Sequence, residues 1–126
     1  MTALIVFLGA GIGGALRHGV NVACARAYGI GFPWGTLTVN VVGSLVMGVL
    51  VGWLAFKAGH AWGQPLRLFL TTGILGGFTT FSAFSLDAVL LWERGDAVVA
   101  LGYVAASVVL SIAGLVLGLA LVRSFA

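Results

Sequence analysis

Four apolar stretches, each about as long as one bilayer crossing, constrain this chain more than any other feature of its sequence. They cover residues 2–27, 34–56, 66–92 and 97–122. A helix crosses a hydrocarbon core roughly 30 Å thick with about 20 predominantly apolar residues, so each stretch suffices. Lipid offers the backbone no hydrogen bonds, and long apolar runs meet that demand by coiling into helices. Short punctuation separates the runs: Gly29-Ile30-Gly31-Phe32-Pro33, then Lys57 to Pro65, then Glu93-Arg94-Gly95-Asp96. Loops of that length join antiparallel neighbours and put both termini on one side. The expected fold is all-α, an integral membrane protein in which residues 1–126 form a single transmembrane domain of four helices. The first helix lacks a basic leader and is read as an uncleaved span rather than a signal peptide.

The rest of the composition narrows the partners. Only 7% of residues are charged, against about a quarter in soluble domains, so lipid is the expected surroundings. The net charge of +3 comes from six scattered basic residues that form no stripe, and nucleic acid is excluded as a partner. One cysteine, Cys24, rules out an intrachain disulfide and any cysteine-cluster metal site; it is expected to serve as a small packing residue. Gly9 with Gly13, Gly48 with Gly52, and Gly114 with Gly118 form small-xxx-small pairs, the seams along which membrane helices approach closely. Trp34, Trp53, Trp62 and Trp92 fall near helix ends, where amphipathic rings favour the membrane interface.

Orientation is nearly balanced. Lys57, Arg67 and Arg123 lie on the side holding both termini, and Arg26 and Arg94 on the other, a bias of one residue under the positive-inside rule. Such a chain can insert either way round, which allows an antiparallel homodimer. A second copy would also help enclose a solvated path, which four helices alone struggle to do.

Polar side chains inside the spans need a partner or a watery cavity. Arg17 sits about halfway along the first helix, and a pairing with Asp87 of the third is expected, since both fall in the membrane half opposite the termini. The alternative for Asp87 is an acidic gate. His18 has no carboxylate near it in sequence and reads as a hydrogen-bonded residue rather than a proton relay. Asn40, in Thr36-Leu37-Thr38-Val39-Asn40, offers amide donors to an anion or to a neighbouring helix. Gly76-Gly77-Phe78-Thr79-Thr80-Phe81-Ser82 occupies the middle of the third span, and a break there would free carbonyls that a buried monovalent cation could collect. A kink satisfied by its own hydroxyls is the competing expectation. Tyr103, Ser107 and Ser111 follow an i, i+4, i+8 spacing and form one polar stripe on the fourth helix.

No Ser-His-Asp, Cys-His or paired-carboxylate set is present, so catalysis is not expected. Asp87 is the sole acidic residue within a span, and a passive path suits the chain better than proton-coupled transport. Amide N–H groups, hydroxyls and the positive edges of Phe81 and Phe84 are donors suited to a small anion. An exporter of another solute and a noncatalytic scaffold remain the rival readings.

Gly13-Gly14-Ala15-Leu16-Arg17, Pro33-Trp34-Gly35-Thr36-Leu37-Thr38-Val39-Asn40, the Gly76–Ser82 run, and Tyr103 with Ser107 and Ser111 together resemble the Fluc (CrcB-like) fluoride channel family. The resemblance implies an antiparallel, dual-topology homodimer with a broken third helix and two fluoride paths, exporting fluoride from the cytoplasm across the plasma membrane. In a Gram-negative bacterium that is the inner membrane. It also implies that Asn40 faces the ion, Phe81 and Phe84 flank the path, and Tyr103, Ser107 and Ser111 form its polar track. Arg17 would be a structural polar residue, and a central Na⁺ would be held by the backbone carbonyls of Gly76 and Thr79 from both subunits. Ala83 stands where many members carry threonine.

Overall fold

The computed structural model describes the backbone of residues 2–56 and 60–125, with the side chains of these except 56 and 60–63. Helices α1 (Thr2–Tyr28) and α2 (Trp34–Phe56) form the first two crossings. The third crossing is composite. It starts with α3 (His60–Arg67), continues as a π-helix over Leu68–Leu75 and a short turn α4 (Gly76–Phe78), and resumes as α5 (Phe81–Glu93). Helix α6 (Ala97–Phe125) is the fourth. Four helices among the described residues are long and apolar enough to cross a membrane, the third counted over Gln64–Glu93. The chain is all-helical in its described residues.

Thr79 and Thr80, between α4 and α5, take extended backbone angles, with ψ of 158° and 125°. The pair therefore sets the direction of α5. Upstream, α1 packs along the π-helix and α4, while downstream α5 packs on α6, and α2 lies along α6. Helix α1 meets the third crossing backbone to backbone. A Cβ on Gly9 would lie 2.7 Å from Phe69 O and 2.9 Å from Gly73 Cα, and one on Gly13 would fall on Ile74 O and Phe78 N. The α2–α6 seam is built the same way, with Gly48 against Leu115 O and Gly118 against Leu45 O. Small residues thus replace side-chain interdigitation where these helices touch.

The π-helix follows Pro65, whose missing N–H removes one helical rung. Helix α5 ends in a Schellman motif: Gly95 adopts φ +90°, its N–H donates to Trp92 O at 3.1 Å, and Asp96 N–H donates to Leu91 O at 3.1 Å. That turn brings α6 back beside α5. Leu4, Phe7, Val109 and Leu117 stay exposed along the spans, as lipid-facing residues do. Trp34, Trp53 and Trp92 are partly exposed near helix ends, and the side chain of Trp62 lies outside the described residues.

Candidate ion pathway

The site begins where α2 comes close to the extended Thr79–Thr80 pair. Gly43 is buried there, and a Cβ at that position would collide with Thr79 Cγ2 and lie 3.3 Å from Phe78 Cδ2. Because Gly43 has none, α2 comes near enough for Asn40, three residues earlier, to reach Thr80. Asn40 Nδ2 donates to Thr80 O at 3.0 Å, and Asn40 Oδ1 accepts from Thr80 N at 2.8 Å. The side-chain amide therefore pairs with the backbone much as a neighbouring strand would. One N–H of Asn40 remains beyond these two bonds.

The same pairing redirects the local backbone. In a continuous helix the Gly76 carbonyl would accept from Thr80 N, which here donates to Asn40 Oδ1. The Thr79 carbonyl would accept from Ala83 N, which here donates to Thr80 Oγ1 at 3.2 Å, an N-cap bond for α5. Both carbonyls thereby lose the donor a regular helix would supply. Other hydroxyls turn back on their own helix: Thr79 Oγ1 donates to Leu75 O at 2.8 Å and Ser85 Oγ to Phe81 O at 2.9 Å.

A cavity of about 330 Å³ opens beside this pairing, lined by Asn40, Ser44, Thr79, Thr80, Phe81, Phe84, Ser107, Val108, Ser111 and Ile112. Among the described residues, no charged side chain is in its wall. Ser107 is buried, and among the described residues its Oγ, which lies near the Tyr103 hydroxyl, makes no hydrogen bond within 3.5 Å. Such an orphan is costly unless a ligand or water completes it. Phe81 and Phe84 have ring centroids 5.5 Å apart at 51°, yet Phe84 is 8% exposed and Phe81 78%. Ser44 was not singled out in the sequence, although its i+4 spacing from Asn40 places the two on one face of α2.

Tyr103 does not line this cavity. It is 1% exposed, packs against Phe84 at 5.3 Å and edge-on to Phe32 at 5.4 Å, and donates from its hydroxyl to Asp87 Oδ2 at 3.3 Å. Asp87 itself lines a second cavity, of about 360 Å³, whose wall includes Asn21, Cys24, Thr36 and Arg94. The expected Arg17–Asp87 pair is not formed. Among the described residues the sole ion pair is Arg94–Asp96 at 3.4 Å, and Arg17 Nε is buried without a partner. The reason is topological: α1 follows the first half of the third crossing, whereas α5 carries Asp87 to α6, where Tyr103 claims it. Cys24 bridges α1 and α2, its Sγ 4.0 Å from Thr38 Oγ1.

Residues 4–119 match the family profile described as CrcB-like protein, Camphor Resistance (CrcB). The chain belongs to the CrcB-like family. A relative in Nitrobacter hamburgensis, named Fluoride-specific ion channel FluC 2, is 57% identical over 123 residues, covering 98% of each chain. Two others carry the name Fluoride-specific ion channel FluC. The one in Rhodopseudomonas palustris is 57% identical over 124 residues, covering 98% of each chain. The one in Methylobacterium nodulans is 58% identical over 125 residues, covering 99% of this chain and 98% of its own. With four membrane-length helices, this CrcB-like protein is a multi-pass protein of the plasma membrane.

Proposed function

We propose that this CrcB-like protein is a passive, fluoride-selective channel, not an enzyme, that lets fluoride leave the cytoplasm and so relieves fluoride toxicity. The observation that carries the reading is the uncharged cavity lined by Asn40, Ser44, Ser107, Ser111, Phe81 and Phe84, a wall of amide, hydroxyl and aromatic donors. Relatives 57–58% identical and named for fluoride conduction support it. Neutral donors suit a conducted anion, because they replace part of its water without binding it so tightly that it cannot leave. Tyr103 belongs to the track as the residue that separates the cavity from Asp87, through its contacts with Phe84 and the carboxylate.

The working form is an antiparallel, dual-topology homodimer with a broken third helix. Phe81 flanks the cavity yet is mostly bare on one chain, and Gly76 is exposed at the same level; a second copy would cover both. Residues of two chains would then narrow the path, and a narrow path favours the smallest halide. The Gly76 and Thr79 carbonyls, deprived of helical donors, suit a monovalent cation, and the four of them from two chains would hold one Na⁺ on the symmetry axis. Bound there, Na⁺ supplies positive charge that staples the two breaks together. Arg17 has a structural place on α1, outside both cavities.

Fluoride and chloride efflux from liposomes carrying the purified protein, with a potassium ionophore to relieve charge build-up, tests this function. Rapid, ionophore-dependent fluoride release without chloride release is expected. Release no faster than from protein-free liposomes, with folded dimeric protein, would sink the channel. Within the pathway, an Asn40→Asp carboxylate would repel the anion by about 4 kcal/mol at 4 Å in an effective dielectric of 20, so efflux should fall on the order of a thousandfold. Phe81→Ile, which removes an aromatic edge, should also slow it. Parent-like rates in both variants would reject this path.

A further inference from the structure

A side chain that makes two hydrogen bonds to one residue's backbone, across helices and 40 residues apart in sequence, holds a conformation. Asn40 does this to Thr80. We propose that Asn40 is a positioning residue for the carbonyl cluster at the break: its amide takes the Thr80 N–H, keeps the helix from closing, and leaves the Gly76 carbonyl free for a monovalent cation. The inference rests on the Na⁺ reading given above and adds the device that prepares the site.

Three observations converge on it. First, the Thr80 N–H is the group that would re-form the helix onto Gly76 O, and Asn40 Oδ1 has captured it at 2.8 Å. Second, Asn40 Nδ2 satisfies Thr80 O at 3.0 Å, so the extended residue leaves neither of its own backbone groups bare in the membrane. Third, the approach of α2 depends on Gly43, where a Cβ would strike Thr79. The Thr80 hydroxyl completes the arrangement by taking Ala83 N, which leaves the Thr79 carbonyl without its helical donor as well. Asn40 thus joins two functions: it lines the anion cavity, while its bonds to Thr80 shape the cation site.

Without the clamp, the break competes with a continuous helix. If the cation-competent form drops to a tenth of the population, apparent cation affinity drops about tenfold. An anion contact alone would leave that affinity unchanged. Gly43→Ala makes the distinction sharper, because it keeps the Asn40 amide and only pushes α2 away from Thr79.

The test uses the full-length protein in nanodiscs, isotope-labelled, with two readouts: hydrogen exchange at the Thr80 amide, and thermal stability as Na⁺ replaces an organic cation. Asn40→Ala should lose at least tenfold of the Thr80 protection and need about tenfold more Na⁺ for half-maximal stabilisation. Gly43→Ala should move both readouts the same way, and it carries the test alone if Asn40→Ala does not fold. Parent-like Thr80 protection and Na⁺ response in either folded variant overturn the proposal. A parent protein whose stability ignores Na⁺, with Thr80 protection still lost in the variants, overturns the Na⁺ reading and supports the clamp.

Discussion

Two cavities of nearly equal size, about 360 and 330 Å³, lie in one chain and are lined by opposite chemistries. The larger has Asp87 and Arg94 in its wall together with loop residues Gly29 to Pro33. The smaller has, among the described residues, no charged side chain, only an amide, hydroxyls, aromatic rings and aliphatic residues. Between them stands Tyr103, its hydroxyl on Asp87 in the first and its ring against Phe84 of the second. Charge is inexpensive near a helix end, where water reaches it, and costs a few kcal/mol at mid-bilayer. The chain thus confines its carboxylate to the outer cavity and equips the inner one with neutral donors. An anion on the proposed path between them would exchange water for hydroxyls and ring edges, not for a fixed countercharge.

After the Asn40→Asp change, the largest effect that could break this contrast is at Ser107. Its hydroxyl is buried and makes no hydrogen bond among the described residues, so the folded protein bears a cost that a bound anion or water would offset. Ser107→Ala removes one donor worth roughly 0.5–1.5 kcal/mol, and fluoride efflux should fall by about two- to tenfold. The same substitution removes an unsatisfied group and should hold or raise the melting temperature of the purified protein. Opposite signs in the two measurements identify a donor kept for the ion. A parallel loss of stability and efflux would make Ser107 a structural residue and the inner cavity mere packing.

The contrast between the cavities could not have been read from the sequence, although much of the scaffold could. Four spans were legible because membrane-length apolar runs between short polar punctuation have one economical reading, and the described residues form four such helices. The serine spacing on α6 was legible for the same periodic reason, and Ser107 and Ser111 share a cavity with Asn40. Tyr103 obeys that spacing too, but its hydroxyl lies at the far end of a long ring and reaches Asp87 instead. Periodicity places a Cα on a face and says nothing of where a long side chain ends. Arg17 and Asp87 do not pair because a shared depth in the membrane is not contact: Asp87 faces Asn21 and Cys24, farther along α1, and is taken by Tyr103. Pro65 and Asn40 were visible in the sequence, but neither the π-helix at Leu68–Leu75 nor the choice of Thr80 as Asn40's partner could be read from them.

A smaller effect should come from the divider between the cavities. Tyr103→Phe keeps the ring against Phe84 and deletes the donor to Asp87, leaving that carboxylate without its one protein partner among the described residues. The loss should be about 1–3 kcal/mol of stability, seen as a lower melting temperature, with fluoride efflux changed only a few-fold. A collapse of efflux with unchanged stability would mean that the hydroxyl touches the ion, and that the track runs through Tyr103 rather than past it.

The smallest effect is the most specific to the outer cavity. Asp87→Asn retains an oxygen to accept from Tyr103 and removes a negative charge from the wall an anion would pass. A charge acting across a wet cavity does so through space, and its reach is set by the Debye length, about 10 Å at 0.1 M salt and 3 Å at 1 M. Fluoride efflux should therefore rise by about twofold in dilute salt and return to the parent rate near 1 M, measured with an impermeant salt on both sides of the liposome. Ser107→Ala, acting by direct contact in a dry site, should show the same fractional loss at every ionic strength. If the Asp87→Asn effect also ignored salt, the carboxylate would have to sit in the dehydrated part of the path, and the division of the chain into a charged entrance and a neutral interior would fail.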